Sequence, residues 1–98
     1  LKVNGMSVFP TELEISISRH PSVALCGVVG RPDQRKGQVP VAFVQLEEEA
    51  IGKETTDNIH AWCKENMAVY KVPEVRFIDK MPLTDTGKVK RNALLSEL

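Results

Sequence analysis

The chain has 98 residues, of which 42% are apolar and five are aromatic, so one compact domain must build its core mainly from Val, Leu and Ile. Its 13 basic and 13 acidic residues cancel, which argues against binding to nucleic acid or to an anionic membrane through bulk charge. No apolar run reaches transmembrane length, and no secretory signal pattern opens the chain.

The first fifth of the chain predicts an extended segment followed by a helix. Residues 1–9 consist of short apolar and polar stretches, which an Asn-Gly turn dipeptide interrupts. Pro10 suits the first turn of a helix, and His20 stands before a proline, where helices commonly end. The apolar residues between them alternate, which also fits a strand. The start and stop signals favour a helix from about 10 to 19.

The middle of the chain predicts a hairpin, a helix and a third strand. Two β-branched apolar runs, 23–30 and 39–46, are typical of buried strands, and the polar connection 31–38 should join them as an antiparallel pair. A second helix is predicted from about 56 to 68, because its apolar residues recur on one helical face. Residues 75–78 predict a third strand. The order predicts an α+β domain with a small, mainly antiparallel three-stranded sheet flanked by helices.

The two cysteines predict buried thiols. Cys26 and Cys63 are far apart in sequence and lie in apolar surroundings, as free cysteines in a reducing compartment commonly do. Neither His20 nor His60 is spaced with them in a zinc pattern, so no metal site is predicted.

The segment 80–91 is the part of the chain that indicates a function. A proline, three turn-forming polar residues and Gly87 predict an ordered, exposed turn that presents Lys88, held to the body by a short helix with leucines at helical spacing. Four basic residues and one acid in this segment form a basic corner, which favours a local anionic ligand over a polyanion. A Walker-type loop is excluded, because Pro82 occupies its first glycine position and Val89 follows the lysine. For an isolated Gly-Lys pair, a solvated loop lysine is the alternative.

Three segments in order resemble the small C-terminal domain of the adenylate-forming enzymes, which include acyl-CoA synthetases, luciferases and peptide-synthetase adenylation domains. Residues 2–14 match the Lys-x-x-Gly and Pro-x-Glu-Leu-Glu pattern of that family. Residues 70–73 match the motif before its last strand, and residues 82–91 match the segment that carries its catalytic lysine. The likeness runs nearly end to end. Residues 1–98 are therefore expected to form a mobile C-terminal domain whose large N-terminal domain lies outside this sequence.

The resemblance implies an acid–thiol ligase that uses ATP, coenzyme A and Mg²⁺, with the metal bound mainly by the N-terminal domain. A carboxylic acid reacts with ATP to give an acyl-adenylate, and coenzyme A then takes the acyl group. By the resemblance, Lys88 is the catalytic residue of the first step. Lys2 and Gly5 would face the site in the second step, and Lys64 and Lys71 would contact phosphates of coenzyme A.

The alternatives within the family are a luciferase-like or aryl-acid ligase domain. From a different class, a non-catalytic binding module could dock a partner through its basic corner. The expected partners are the protein's own N-terminal adenylation domain and a carboxylic acid substrate, with no nucleic acid and no transmembrane segment. The expected location is cytoplasmic. The isolated domain is expected to be inactive, because the nucleotide and acyl pockets belong to the N-terminal domain.

Overall fold

The fold is a mixed five-stranded sheet with helices on both faces, and the computed structural model describes all residues 1–98. The elements in chain order are β1 (Lys2–Val3), β2 (Met6–Ser7), α1 (Pro10–Ile17), β3 (Val23–Asp33), β4 (Gly37–Leu46), α2 (Thr56–Asn66), β5 (Glu74–Phe77) and α3 (Arg91–Leu95). Single turns of 3₁₀ helix lie at Glu48–Ala50 and Val69–Lys71. None of the helices has the length and apolarity that a bilayer crossing requires.

The sheet is organised around β4. The long antiparallel partner β3 occupies one side of β4 and forms the outer edge of the sheet. On the other side, β1 joins β4 antiparallel where Val3 pairs with Gly37, and β5 joins it parallel, starting where Glu74 pairs with Val41. The parallel pairing follows from the crossover through α2, since parallel strands need a long connection. The predicted α+β class and antiparallel hairpin are confirmed, whereas the sheet has two more strands than the three predicted.

Both faces of the β3–β4 hairpin are covered, which explains why these strands read as continuous apolar runs. Residues of the two strands alternate between two core clusters, so the clusters lie on opposite faces of the sheet. The larger cluster joins α1 and α2 to the sheet through eleven buried residues, among them Leu13, Ile17, Ile59 and Cys63. The smaller cluster, under α3, consists of Val29, Val41, Phe43, Met81 and Leu94.

The helices end earlier, and the hairpin strands run further, than the sequence predicts. The first helix ends at Ile17 and the second at Asn66. The β3–β4 ladder continues to the pair between Asp33 and Gly37, because backbone pairing in a hairpin does not require apolar side chains. The Asp33 carboxylate then accepts the N–H groups of the two turn residues 35 and 36.

Candidate functional site

The lysine turn, residues 82–89, is an ordered hairpin-like loop. Leu83 and Val89 form an isolated antiparallel bridge at its base. At the tip, the Gly87 N–H donates to the Thr84 carbonyl over 2.9 Å, and Gly87 has a φ of +83°. A side chain would be strained in that left-handed conformation, so glycine is required by the turn itself. The predicted ordered turn with a positive-φ glycine is confirmed.

Lys88 is exposed, and its ammonium makes no hydrogen bond or ion pair within the chain. Lys80 and Lys90 are likewise exposed and unpaired, whereas Arg91 is paired with Glu14 at 2.7 Å. The basic corner therefore has three free ammonium groups and one neutralised guanidinium. A lysine is a compact charge on a long stem, so Lys88 can reach an anion that lies outside this chain.

Two buried side chains and one glycine hold the lysine turn to the sheet. Met81 and Leu94 are almost completely buried on the α3 face, and the Met81 N–H donates to the Gln45 side chain over 2.7 Å. A Cβ on Gly27 of β3 would come within 2.6 Å of Leu94 and 2.8 Å of Val89. The absence of that Cβ is what lets α3 and the turn pack directly on the strand.

Fewer of the terminal leucines pack on the sheet than the sequence predicts. Leu94 alone is buried, whereas Leu95 and Leu98 remain 45% and 39% exposed. The reason is the length of α3: five residues give little more than one turn, so it can turn only one leucine toward the sheet.

A second candidate surface is the β1–β2 hairpin. Asn4 and Gly5 both have positive φ, at +52° and +78°, which is the geometry of a two-residue type I′ turn. Nothing lies within 4 Å of a Cβ built on Gly5, so its backbone is open to approach by a ligand. The ammonium of Lys2 lies beside this turn and donates to the Ser7 hydroxyl over 2.8 Å. Lys2 and Gly5 are therefore brought together on one small hairpin.

The Gly5 hairpin and the lysine turn are attached far apart along β4. Val3 pairs with Gly37, the first residue of that strand. Val89 packs at Gly27, whose partner across the ladder is Phe43. Gly37 and Phe43 are six residues apart, which corresponds to roughly 20 Å along a strand. Two separate surfaces of one small body thus present Lys88 and Gly5.

Lys64 and Lys71 have different surroundings. Lys64 is exposed on α2 and lines a shallow cavity of about 350 Å³ with His60, Val69 and Val72. Lys71 instead forms an ion pair with Glu12 of α1. The hydrogen bond that the Lys71 ammonium donates to the Glu12 carboxylate is the main cause that raises the pKa of Lys71. The exposed Lys64 ammonium can bind an anion from outside the chain, whereas the Lys71 ammonium is already paired with the Glu12 carboxylate.

Two contacts that hold the lysine turn and α3 to the rest of the domain are not evident from the sequence. Glu14 reaches Arg91 across 77 residues of sequence, and no local pattern indicates that pairing. Gly27 carries a readable sign, since a glycine inside a β-branched run often marks a close backbone approach. That sign alone does not say which segment approaches.

No group of three or more His, Cys, Asp or Glu side chains in the chain is arranged to hold a metal ion.

Comparison with known proteins gives one consistent family. The sequence profile for the AMP-binding enzyme C-terminal domain matches residues 12–88. The chain is 38% identical over 93 residues to a 2-succinylbenzoate–CoA ligase of Listeria monocytogenes, covering 92% of this chain and 19% of the ligase. It is 35% identical over 99 residues to acetyl-coenzyme A synthetase of Bacillus subtilis, covering 96% of this chain and 17% of the synthetase.

A solved structure agrees. A Mycobacterium tuberculosis fatty acyl CoA synthetase superposes with a TM-score of 0.87 and 28% identity, over 99% of this chain and 19% of that one. The chain therefore spans about a fifth of the length of the proteins that it matches.

Proposed function

Because the chain belongs to the family of AMP-binding enzyme C-terminal domains, we propose that it serves an ATP-dependent acyl-CoA synthetase as its mobile C-terminal domain. The observation that carries the proposal is an ordered turn that presents the unpaired ammonium of Lys88. By the resemblance of residues 82–91, this lysine would take the role of the family's catalytic lysine. The similarity to proteins named as CoA ligases supports the reaction class.

In the first half-reaction, Lys88 supplies positive charge where negative charge collects. A carboxylate oxygen attacks the α-phosphorus of ATP, and the bond to the β-phosphate oxygen breaks to release pyrophosphate. Lys88 reaches from its turn to the carboxylate and the α-phosphate oxygens, and offsets their repulsion in a closed cleft from which water is excluded. Because the turn is held by its own hydrogen bonds, the lysine arrives with its backbone already ordered.

In the second half-reaction, the Gly5 hairpin replaces the lysine turn at the cleft. The sulfur of coenzyme A bonds to the acyl carbon, and AMP leaves with the electron pair of the acyl–oxygen bond. The open backbone at Gly5 lets the pantetheine arm pass close by, and Lys2 stands next to it. Lys64 is placed to meet a nucleotide phosphate, and Lys71 would have to exchange Glu12 for one.

The separation of the two surfaces supports a rotation of this domain against an N-terminal adenylation domain. Their points of attachment lie roughly 20 Å apart along β4, so the two surfaces would reach one cleft in two different orientations of the domain. The N-terminal domain would hold ATP, the carboxylic acid and Mg²⁺, and no step assigned to this chain passes through the metal. The two free, buried thiols support a reducing compartment such as the cytoplasm.

The acyl group is selected outside this chain. The names of the three matched proteins refer to different acyl groups, namely 2-succinylbenzoate, acetyl and fatty acyl, yet the chain is 28 to 38% identical to all three. If this domain selected the acyl group, its sequence should be clearly more similar to the ligases of one acyl group than to the others.

The test is Lys88→Ala in the intact ligase, with both half-reactions measured. Loss of one electrostatic donor typically costs about 10²–10³-fold in rate, so adenylate formation, followed by exchange of pyrophosphate into ATP, should fall by that much. Thioester formation from supplied acyl-adenylate should change little. Lys90→Ala is the matched control, since it removes an exposed lysine of the same segment. Equal loss in both half-reactions would contradict the proposal.

A further inference from the structure

Glu14 is a nearly buried carboxylate with two partners from different parts of the chain. Its Oε2 accepts the backbone N–H of Val28 over 2.8 Å, and its Oε1 accepts the guanidinium of Arg91 over 2.7 Å. The Glu14 side chain is only 14% exposed, whereas that of Arg91 is 43% exposed. One helix side chain thus contacts β3 with one oxygen and α3 with the other.

The contact with β3 fixes the carboxylate in place. Because β3 is the outer strand of the sheet, its outward-facing N–H groups have no neighbouring strand to bind. The Glu14 carboxylate accepts the N–H of Val28, a residue that is completely buried. A carboxylate held by a backbone donor has little freedom left, so its second oxygen offers Arg91 a fixed acceptor.

The contact with Arg91 acts on the lysine turn. Arg91 is the first residue of α3 and follows Lys88 by three positions. The chain between them is held by the Lys90 N–H, which donates to the Pro82 carbonyl over 2.9 Å. At the other end of α3, Leu94 packs against Gly27, the neighbour of Val28 in β3. The start of α3 is therefore clamped to α1, and its end to β3.

We propose that Glu14 is a positioning residue for Lys88, acting through Arg91 to set the angle at which the lysine turn leaves the body. This role rests on the proposed function of Lys88. The chemistry needs the Lys88 ammonium within hydrogen-bond reach of the reacting oxygens. A small change of angle at the base of the turn would displace Lys88 at its tip. The ion pair contributes by fixing geometry, since a partly exposed pair adds little to stability.

The experiment compares half-reactions in the intact ligase. Arg91→Ala leaves the bond between Glu14 and Val28 in place, so the fold is kept while the clamp on α3 is lost. We expect adenylate formation to fall about tenfold, in line with the cost of a small misplacement of a catalytic group. Thioester formation from supplied acyl-adenylate should stay within about twofold. Glu14→Gln should give the same split, and Arg91→Lys should restore part of the rate. Glu74→Gln, which removes a β5 carboxylate paired with Arg31 of β3 and Arg76 of β5, is the control for an ion pair remote from the turn.

A double variant separates positioning from general structure. In the Lys88→Ala background, Arg91→Ala should cause no further loss of adenylate formation, because the residue that it positions is absent. A full additional tenfold loss there, or equal loss in both half-reactions of Arg91→Ala, would overturn the role of Glu14. If Lys88→Ala itself spares adenylate formation, the proposed function fails. If Lys88→Ala is selective and Arg91→Ala has no effect, only the positioning role fails.

Discussion

Thr84 and Lys88 are bound to each other twice. The Thr84 N–H donates to the Lys88 carbonyl over 2.7 Å, and the Lys88 N–H donates to the Thr84 hydroxyl oxygen over 3.1 Å. The hydroxyl of Thr86 also lies 3.1 Å from that of Thr84. The backbone of the candidate catalytic lysine is therefore fixed by a residue of its own turn, while its side chain remains free.

Thr84→Ala should loosen the turn without unfolding the domain. It removes the acceptor of the Lys88 N–H, and a single exposed hydrogen bond is worth about 1 kcal/mol or less. We expect adenylate formation by the intact ligase to fall several-fold and the Lys88 amide to exchange with solvent faster. Thr84→Ser should retain both properties. Thr86→Ala is the control, because that hydroxyl contacts only Thr84. If Thr86→Ala slowed adenylate formation and Thr84→Ala did not, this account of the turn would be wrong.

Three glycines offer a matched series. Gly5, Gly52 and Gly87 all have φ near +80°, and nothing lies within 4 Å of a Cβ built on any of them. Alanine at each position should cost a similar free energy of unfolding, about 1 to 2 kcal/mol, from backbone strain alone. The effect on activity should differ by place. Gly87→Ala should slow adenylate formation, Gly5→Ala should slow thioester formation, and Gly52→Ala should slow neither.

The measurement for that series is urea unfolding together with the two half-reaction rates. If Gly52→Ala were as slow as the other two variants in either half-reaction, strain in the domain as a whole would explain the losses. The assignment of separate roles to the two turns would then be wrong.

Glu12→Gln should release Lys71. If Lys71 contacts coenzyme A in the second half-reaction, removing its internal partner should lower the KM for coenzyme A while leaving adenylate formation unchanged. An unchanged or higher KM would indicate that the pair only holds α1 to the segment before β5. The comparison is best made at low salt, where an exposed charge is least screened.

The same pair predicts a dependence of stability on pH. The pKa of Lys71 is raised in the folded state by Glu12, so the pair stabilises the fold from neutral pH up to the unfolded pKa of lysine, about 10.4. The contribution is lost as pH rises through the raised pKa of the folded state. The difference in urea midpoint between wild type and Glu12→Gln should therefore persist from pH 7 to about 10 and then decline as pH rises through the folded-state pKa of Lys71.

The two thiols should be unreactive until the domain opens. Burial raises the pKa of Cys26 to about 12 and that of Cys63 to about 11. At pH 8, alkylation by iodoacetamide should be at least about 100-fold slower than in denaturant, since the thiolate is the nucleophile. Because both values lie above those of an unfolded chain, stability should decline as pH rises from about 9 toward 11 or 12. Rapid labelling of either thiol at pH 8 would contradict their burial.

Local sequence features predicted the elements well, although not their neighbours. The β-branched runs of the hairpin and the turn at Gly87 both have local causes, and the structure confirms each. The order of strands has no local cause. No local pattern of residues indicates that β5 pairs parallel to β4, or that two-residue strands join the sheet. Such pairings depend on which free edge of the sheet remains after the hairpin has formed.

The candidate site divides in the same way. The turn that presents Lys88 is predicted from the sequence, because turn chemistry and side-chain chemistry are properties of a few adjacent residues. Lys2 and Gly5 are indicated by the family resemblance of residues 2–14. The tertiary structure alone decided which of these charges are free: it paired Lys71 with Glu12 and Arg91 with Glu14, and it left Lys64 and Lys88 exposed. Contacts between residues 59 or 77 positions apart arise only when helices and strands pack, and no local pattern of residues encodes that distance.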